Sequence, residues 1–242
     1  MWWRTFMAGV GAAVRRFDEA VMPTRCVFCG IDSATSICPP CRADLPWVGQ
    51  SCGRCARPLA VALPVGVYCG ECQQRPPPYS AARAPLHYAF PVDAAIKQLK
   101  FRRRLEYGPA LASILAGAIG DLPADIDALA PVPLHWRRQA LRGFNQAEEL
   151  CKALCRSNGL PVLSNLSRVR STPYQSGLHA FERRRNLRGA FAVRGSIDGR
   201  HVLIVDDVIT TGETCARLAR VVLDAGATRV SVLAIATASR TS

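Results

Sequence analysis

The sequence predicts an α/β protein with a parallel sheet, preceded by a small cysteine-rich domain. One observation is the apolar run from Val202 to Val205, followed by two acids, a Thr/Gly turn and an amphipathic pattern that stops at Gly226. A short apolar run with these flanks is typical of a strand buried on both faces, and the pattern after it is helical. The other observation is a set of four C-x-x-C pairs between residues 26 and 72, in a segment too short to build a hydrophobic core.

The spacing of these eight cysteines indicates zinc binding. Each C-x-x-C pair offers two thiolates to one tetrahedral ion, so four pairs supply two sites with four cysteines each. Disulfides would need an oxidising compartment and rarely space every cysteine in this way. Four protein ligands leave no open position on the ion, so both sites are expected to be structural. Sequential pairing is the simplest and interleaved pairing stays open; the sequential sets are Cys26, Cys29, Cys38, Cys41 and Cys52, Cys55, Cys69, Cys72.

Periodicity and composition divide the chain into three parts. Helical spacing of apolar residues predicts helices in residues 92–101, 111–118 and 147–154, and apolar runs predict strands in 84–90, 128–132, 190–193 and 228–236. Three consecutive prolines make residues 73–79 a stiff linker. We therefore expect an amphipathic N-terminal helix over residues 1–24, a double zinc ribbon over 25–75 and an α/β domain over 79–242.

The chain is strongly basic, with a formal net charge of +13. Two four-thiolate zinc sites would lower the charge to about +9, which still favours anionic partners such as phosphates or nucleic acid. No apolar run reaches the length that spans a membrane. Arg15 and Arg16 directly follow the short apolar N-terminal stretch, which argues against a secretory signal. We expect a cytoplasmic protein that is not integral to a membrane, with a terminal helix available to a partner or a membrane surface.

The strand at residues 202–205 leads into a phosphate-type loop. A glycine lets backbone approach a ligand closely, and the free N–H groups at the start of the next helix favour an anion. Threonine hydroxyls add donors. The acids Asp206 and Asp207 would repel a phosphate and instead suit ribose hydroxyls or a hydrated Mg²⁺. Together they fit a ribose 5-phosphate, and the residues expected to hold the phosphate are Thr210, Thr211, Gly212 and Thr214.

A long polar and basic segment, residues 171–189, precedes this strand. A loop of this length inside a compact domain is typically functional or disordered, and its position suggests a mobile lid. Tyr174, Phe181 and its arginines also suit stacking on single-stranded nucleic acid. A solvated helix with a basic face is the alternative interpretation.

Residues 202–214 resemble the 5-phosphoribosyl-1-pyrophosphate (PRPP) signature of type I phosphoribosyltransferases. The whole chain resembles the ComF family, also called GntX-like or amidophosphoribosyltransferase-like. Supporting stretches are residues 131–134 (PVPL), 142–146 (RGFNQ), 175–178 (QSGL) and 184–191 (RRNLRGAF), together with the ribbon cysteines. The resemblance implies a type I phosphoribosyltransferase fold, namely a parallel sheet with flanking helices and a small hood. It also implies a role in natural transformation, where single-stranded DNA is taken up.

The resemblance also implies roles for particular residues. Asp206 and Asp207 would hold the ribose hydroxyls of PRPP, and the loop would hold its 5-phosphate. Mg²⁺ and arginines would stabilise the leaving pyrophosphate, and with the two acids Arg185 is the expected catalytic residue. The other arginines expected to contact PRPP are Arg142, Arg184 and Arg188, with Arg137 and Arg138 at the matching loop.

Three functions share this pocket at the level of sequence. One is a PRPP-binding protein that handles single-stranded DNA in DNA uptake or DNA metabolism, with DNA-uptake or recombination proteins as partners. The second is an active phosphoribosyltransferase on a base or an amine. The third is a PRPP sensor in which ligand binding closes the lid without turnover.

Overall fold

The computed structural model describes residues 24–64, 66–169 and 189–238. The predicted N-terminal helix and the predicted lid lie outside these residues, apart from Thr24 and Gly189. The chain forms two compact units, of which the first ends at Leu45 and the second begins at Pro46. This division falls inside the segment predicted as the double ribbon, so each unit is described by itself, and the predicted domain limits stay a prediction.

The described part of the first unit is one cysteine ribbon. Its backbone turns at Gly30, where φ is 76° and the N–H donates to the Cys26 carbonyl at 2.9 Å. A bridge joins Arg25 to Asp32. Helix α1, Pro39–Ala43, begins directly after Cys38. The unit is therefore made of turns that carry cysteines, as expected for a segment whose core is replaced by a metal.

The second unit is built on a parallel sheet with strand order β3–β9–β8–β5, and β4 also pairs with β9. All of these pairings are parallel. Two antiparallel pairs, β1–β2 and β6–β7, lie outside this sheet. The strands are β1 Gln50–Ser51, β2 Pro58–Leu59, β3 Ala81–Arg83, β4 Leu86–His87, β5 Ala128–Pro131, β6 Leu166–Arg168, β7 Phe191–Val193, β8 His201–Ile209 and β9 Arg229–Thr237.

Helices cover both faces of the sheet. Val202 and Ile204 of β8 share a core cluster with Leu218 and Val222, and the alternation of a strand turns Leu203 to the opposite face. There, two helices of the chain between β4 and β6 pack on each other and on the sheet. The helices are α2 Gly70–Gln74, α3 Val92–Arg102, α4 Tyr107–Ala118, a 3-10 turn Ile119–Asp121, α5 Trp136–Arg142, α6 Gln146–Asn158 and α7 Glu213–Asp224.

Local sequence accounts for most of these boundaries. The Asn145 side chain accepts a hydrogen bond from the Ala147 N–H at 3.1 Å and caps the start of α6, and Gly159 in the left-handed region ends it. Helix α5 was not among the predicted elements, because its sequence has no apolar stripe and none of its residues is buried. Strand β8 runs on to Ile209 instead of ending at Val205, since its pairing with β9 continues to Thr237.

The second cysteine ribbon is part of the second unit. Ala56 is fully buried in the same core cluster as Ile204 and Cys215. The Gly53 carbonyl, inside a C-x-x-C pair, accepts a hydrogen bond from the N–H of Ala82 in β3 at 3.0 Å. This ribbon therefore shares core packing and backbone hydrogen bonding with the parallel sheet.

Candidate functional site

The eight ribbon cysteines form two clusters in sequential order. Within each cluster the sulfurs lie within 4.8 Å of one another. The first cluster consists of Cys26, Cys29, Cys38 and Cys41, and the second consists of Cys52, Cys55, Cys69 and Cys72. The Sγ atoms are 3.7 Å apart between Cys29 and Cys38 and 3.6 Å apart between Cys55 and Cys69. A tetrahedral ion with bonds of ~2.3 Å places its sulfur ligands ~3.8 Å apart. The geometry fits zinc, and no described cysteine forms a disulfide.

Backbone amides prepare both clusters for metal binding. The N–H of Cys38 donates to the sulfur of Cys26, and the N–H of Cys69 donates to the sulfur of Cys52, each at 3.4 Å. Burial works to raise the pKa of the Cys52 thiol, but the amides directed at its sulfur bring that pKa down to about 7. Such donors favour the thiolate, which is the form that binds zinc.

Asp206 and Asp207 lie where β8 extends past its neighbour. The β5 pairing ends at Pro131 opposite Val205, and the N–H of Val132 makes the last hydrogen bond there, to the Val205 carbonyl at 3.0 Å. Beyond that point the β5 side of β8 is open, at the carboxyl end of the sheet. The acid pair thus lies inside β8 and not after its last residue, beside the carboxyl end of β5, and ligands of open α/β folds bind at this edge of the sheet.

The loop between β8 and α7 turns at Gly212, which has φ 71° and caps α7. The N–H of Glu213 donates to the Thr211 hydroxyl at 3.4 Å, and the Ala216 N–H donates to the Gly212 carbonyl at 2.8 Å. Tyr79, only 2% exposed, places its hydroxyl 3.0 Å from where a Cβ on Gly212 would lie. Residue 212 is therefore confined to glycine both by its backbone angle and by Tyr79.

The phosphate-type loop also borders a cleft of about 1060 Å³. Two cysteines of the second cluster, Cys55 and Cys72, line this cleft, and Thr210, Thr211 and Gly212 line it as well. The second zinc cluster and the loop therefore share one cleft within the second unit.

The two acids have different electrostatic environments. Asp207 is 6% exposed and forms an ion pair with Lys100, from the last turn of α3. Removal of the half-buried Asp206 carboxyl from water raises its pKa well above the usual range, and the adjacent Asp207 raises it further. The charge of Asp207 is thus compensated by Lys100. The carboxyl of Asp206 favours a proton, a cationic ligand or a hydroxyl-bearing ligand.

Arginines converge on the same region from β6 and α5. Burial lowers the pKa of Arg168, Arg138 lowers it further, and Asp206 acts in the opposite direction. Arg168 also stacks on Phe191, with its Cζ 5.5 Å from the ring centroid. Burial likewise lowers the pKa of His135, helped by Arg137, Arg168 and Arg138. Three arginines therefore surround His135 and one of them, Arg168, also interacts with Asp206, an arrangement that suits an anionic ligand such as a pyrophosphate group.

The predicted arginines are only partly described. Arg142 ends α5, donates to the Gln146 side chain at 3.0 Å, and stacks 5.1 Å from the Phe101 ring centroid. Phe101 adjoins Lys100, so α3 links Arg142 to the neighbourhood of Asp207. Arg184, Arg185 and Arg188 lie outside the described residues, and their predicted roles remain predictions.

Two residues of this site were missed by the sequence analysis. Lys100 was assigned only to the end of a helical stripe, and Arg168 precedes a segment that was treated as a separate lid. Both are separated by many residues from the acid pair, and neither belongs to a recognisable motif, so only the folded chain brings them to it.

No helix in the described part of the chain combines the length and the apolar character that crossing a bilayer requires. Two family models match the chain, the double zinc ribbon domain over residues 18–73 and the phosphoribosyl transferase domain over residues 143–241. The parallel sheet, the two cysteine clusters and these matches define a protein with a double zinc ribbon and a type I phosphoribosyltransferase fold, as predicted.

Curated relatives identify the family. The chain is 37% identical over 224 residues to the DNA utilization protein YhgH of Salmonella typhimurium, covering 87% of this chain and 96% of that protein. Competence protein F of Haemophilus influenzae is 31% identical over 229 residues, with coverage of 88% and 97%. Competence protein ComFC of Bacillus subtilis is 26% identical over 202 residues, with coverage of 78% and 79%. The chain therefore belongs to the ComF family.

Solved structures overlap with part of the chain. Glutamine PRPP amidotransferase from B. subtilis is 21% identical, with a TM-score of 0.39 and coverage of 57% of this chain and 30% of that one. Purine phosphoribosyltransferase from Pyrococcus horikoshii is 15% identical, with a TM-score of 0.35 and coverage of 53% and 71%.

Proposed function

We propose that this protein binds PRPP with Mg²⁺ at the carboxyl end of β8 and handles single-stranded DNA in the cytoplasm. The observation that carries the first part is the acid pair Asp206 and Asp207 near the end of β8, with the Gly212 turn at the start of α7 five residues further on. Carboxylates suit the ribose hydroxyls or hydrated Mg²⁺, and the N–H groups at the helix start suit the 5-phosphate. In this proposal Thr210, Thr211 and Thr214 add hydroxyl donors to the phosphate.

The positive side of the site supports pyrophosphate as the second anionic group of the ligand. Arg138 and Arg168 lie in the electrostatic surroundings of His135 and Asp206, and Arg142 connects to Lys100 through Phe101. Bound Mg²⁺ would neutralise part of the pyrophosphate charge. The chain's own arginines would orient that group, and Arg184, Arg185 and Arg188 would cover it from the lid.

The test is calorimetric titration of Mg·PRPP into zinc-loaded protein, beside Asp207→Asn and the control Asp224→Asn at the exposed end of α7. Loss of charged hydrogen bonds to the ribose predicts binding weaker by about 10- to 100-fold for Asp207→Asn. The control should match the wild type. Absence of binding in the wild type, or equal binding by Asp207→Asn, would reject the assignment of the pocket.

DNA handling is supported by the net charge of +13 and by the names of the relatives, a DNA utilization protein and a competence protein. Because phosphate contacts release counterions, affinity for a single-stranded oligonucleotide should fall steeply between about 50 and 200 mM salt. Fluorescence anisotropy with labelled oligo(dT) measures this. Binding that does not change with salt, or no binding at low salt, would contradict this part.

An active transferase is the second candidate, favoured by the arginines beside the acid pair. Attack of a base or amine on the anomeric carbon would break its bond to pyrophosphate, and the arginines would stabilise the charge on the departing group. A pyrophosphate-release assay with Mg·PRPP and an acceptor panel separates turnover from binding alone. If no acceptor gives release while PRPP still protects residues 183–188 from protease, the protein acts as a sensor.

A further inference from the structure

An exposed surface beside the acid pair carries arginines and large apolar side chains. It is formed by residues 101–106, at the end of α3 and in the following turn, and by α5, residues 136–142. All six residues of the first segment are exposed, and none of α5 is buried. Phe101, Trp136 and Leu141 are exposed by 61%, 64% and 81%. We call this region the α3–α5 surface.

Direct contacts make the two segments one surface. The Arg103 guanidinium donates to the Leu141 carbonyl at 3.3 Å and lies against the backbone of Gly143. Arg142 stacks on Phe101 at 5.1 Å from its centroid. These contacts join the end of α3 to the end of α5, so their exposed side chains lie side by side.

The chemistry of this surface is aromatic and cationic. It holds six arginines, Arg102, Arg103, Arg104, Arg137, Arg138 and Arg142, against one acid, Glu106, which pairs with Arg104. Two further arginine contacts are with rings, since Arg104 lies over Tyr107 at 5.5 Å and Arg137 over Trp136 at 5.2 Å. A guanidinium that lies over a ring leaves N–H groups for phosphates and a flat surface for a base.

A small pocket adjoins this surface. It has a volume of about 310 Å³ and is lined by Tyr88, Lys97, Gln98, Lys100, Phe101, Arg102 and Arg142. Its volume suits one flat heterocycle better than a folded protein segment. Lys100, which lines this pocket, also pairs with Asp207, so one residue belongs both to the pocket and to the surroundings of the acid pair.

We propose that the α3–α5 surface is the binding track for single-stranded nucleic acid, with unpaired bases stacked on Phe101 and Trp136 and the backbone held by the arginines. This rests on the DNA-handling part of the proposed function and gives that part a location on the phosphoribosyltransferase domain. Single strands present both phosphate charge and free base faces, which matches alternating arginines and aromatic rings. In duplex DNA the base faces are stacked on one another and only base edges and phosphates are accessible.

The experiment measures anisotropy of labelled oligo(dT) with full-length, zinc-loaded protein. Phe101→Ala and Trp136→Ala each remove one stacking platform and should weaken binding by roughly 5- to 100-fold. The matched control is Phe90→Ala, which removes a ring that is 82% exposed just before the opposite end of α3. The phosphate contacts are tested by comparing Arg102→Gln with the control Arg156→Gln, at the exposed end of α6. Only Arg102→Gln should reduce the salt dependence of the affinity for oligo(dT).

The outcomes separate this inference from the proposed function. If the wild type binds oligo(dT) but Phe101→Ala and Trp136→Ala bind equally well, the surface assignment is wrong and the DNA-handling proposal stands. If Phe90→Ala weakens binding as much as they do, or duplex DNA competes as well as the single strand, the stacking model is rejected. If the wild type binds no single-stranded DNA at all, both the surface assignment and the DNA-handling proposal are wrong. The proposal of PRPP binding is tested separately by the Mg·PRPP titration.

Discussion

Substitution of Gly212 by alanine is expected to destabilise the second unit because of two separate costs. At φ 71° an alanine is in the left-handed region, which costs about 1–2 kcal/mol relative to glycine. Its Cβ would also lie 3.0 Å from the Tyr79 hydroxyl. Tyr79 is buried in the core cluster and cannot move away freely, so we expect about 1 kcal/mol more from this contact.

A control within the same chain separates these costs. Gly199 also has φ 71°, but a Cβ there would have nothing within 4 Å. Gly199→Ala should therefore lower the free energy of unfolding by about 1–2 kcal/mol, and Gly212→Ala by about 2–3 kcal/mol. Urea denaturation followed by circular dichroism gives both values.

The contact itself is tested in a Tyr79→Phe background, which lacks the hydroxyl. There, Gly212→Ala should cost no more than Gly199→Ala. If the cost of Gly212→Ala is the same with and without the hydroxyl, or equals that of Gly199→Ala in the wild type, the role assigned to Tyr79 is refuted. Titration with Mg·PRPP on the same variants then shows whether the turn must keep its shape for phosphate binding.

Three further predictions concern charges and metal. The pKa of Asp206 is raised above its usual 3.8, so between that value and the raised pKa the folded state keeps a proton that the unfolded chain has lost, and stability falls as pH rises through this range. Asp206→Asn should therefore raise the Tm more at about pH 8 than at about pH 4. An equal gain at both pH values would contradict this prediction. Lys100→Met leaves the buried Asp207 carboxylate unpaired and should cost about 3 kcal/mol, most of which Asp207→Asn should restore in the double variant, as urea denaturation can show. Zinc content should fall in both Cys72→Ser and Cys41→Ser. Only Cys72→Ser should also lower the Tm of the sheet-containing unit and weaken Mg·PRPP binding. Equal effects of the two variants in thermal scans would reject a special role for the second cluster.

Elements with a strong local pattern were predictable. The strand at residues 202–205 and the helix after it were found because four apolar residues, two acids and a glycine turn follow one another without interruption. Helices α3, α4 and α6 have apolar residues at helical spacing that match their buried faces. Helix α5 has no such face, so periodicity could not reveal it. The continuation of β8 past its acids depends on pairing with β9, which local sequence does not encode.

The sequence by itself determined the eight cysteine ligands, the acid pair and the glycine turn, because each of these groups is contiguous or regularly spaced in the chain. Which four cysteines share a site was settled only by the folded chain, which places them in two sequential clusters. The sequence also determined the class of fold, since the strand and helix periods are local properties. Only the tertiary structure brought Lys100 and Arg168 to the acids, placed Tyr79 against Gly212, and joined the ends of α3 and α5 into one surface. These contacts join segments far apart in sequence, and they depend on the order and register of the strands, which spacing along the chain does not specify.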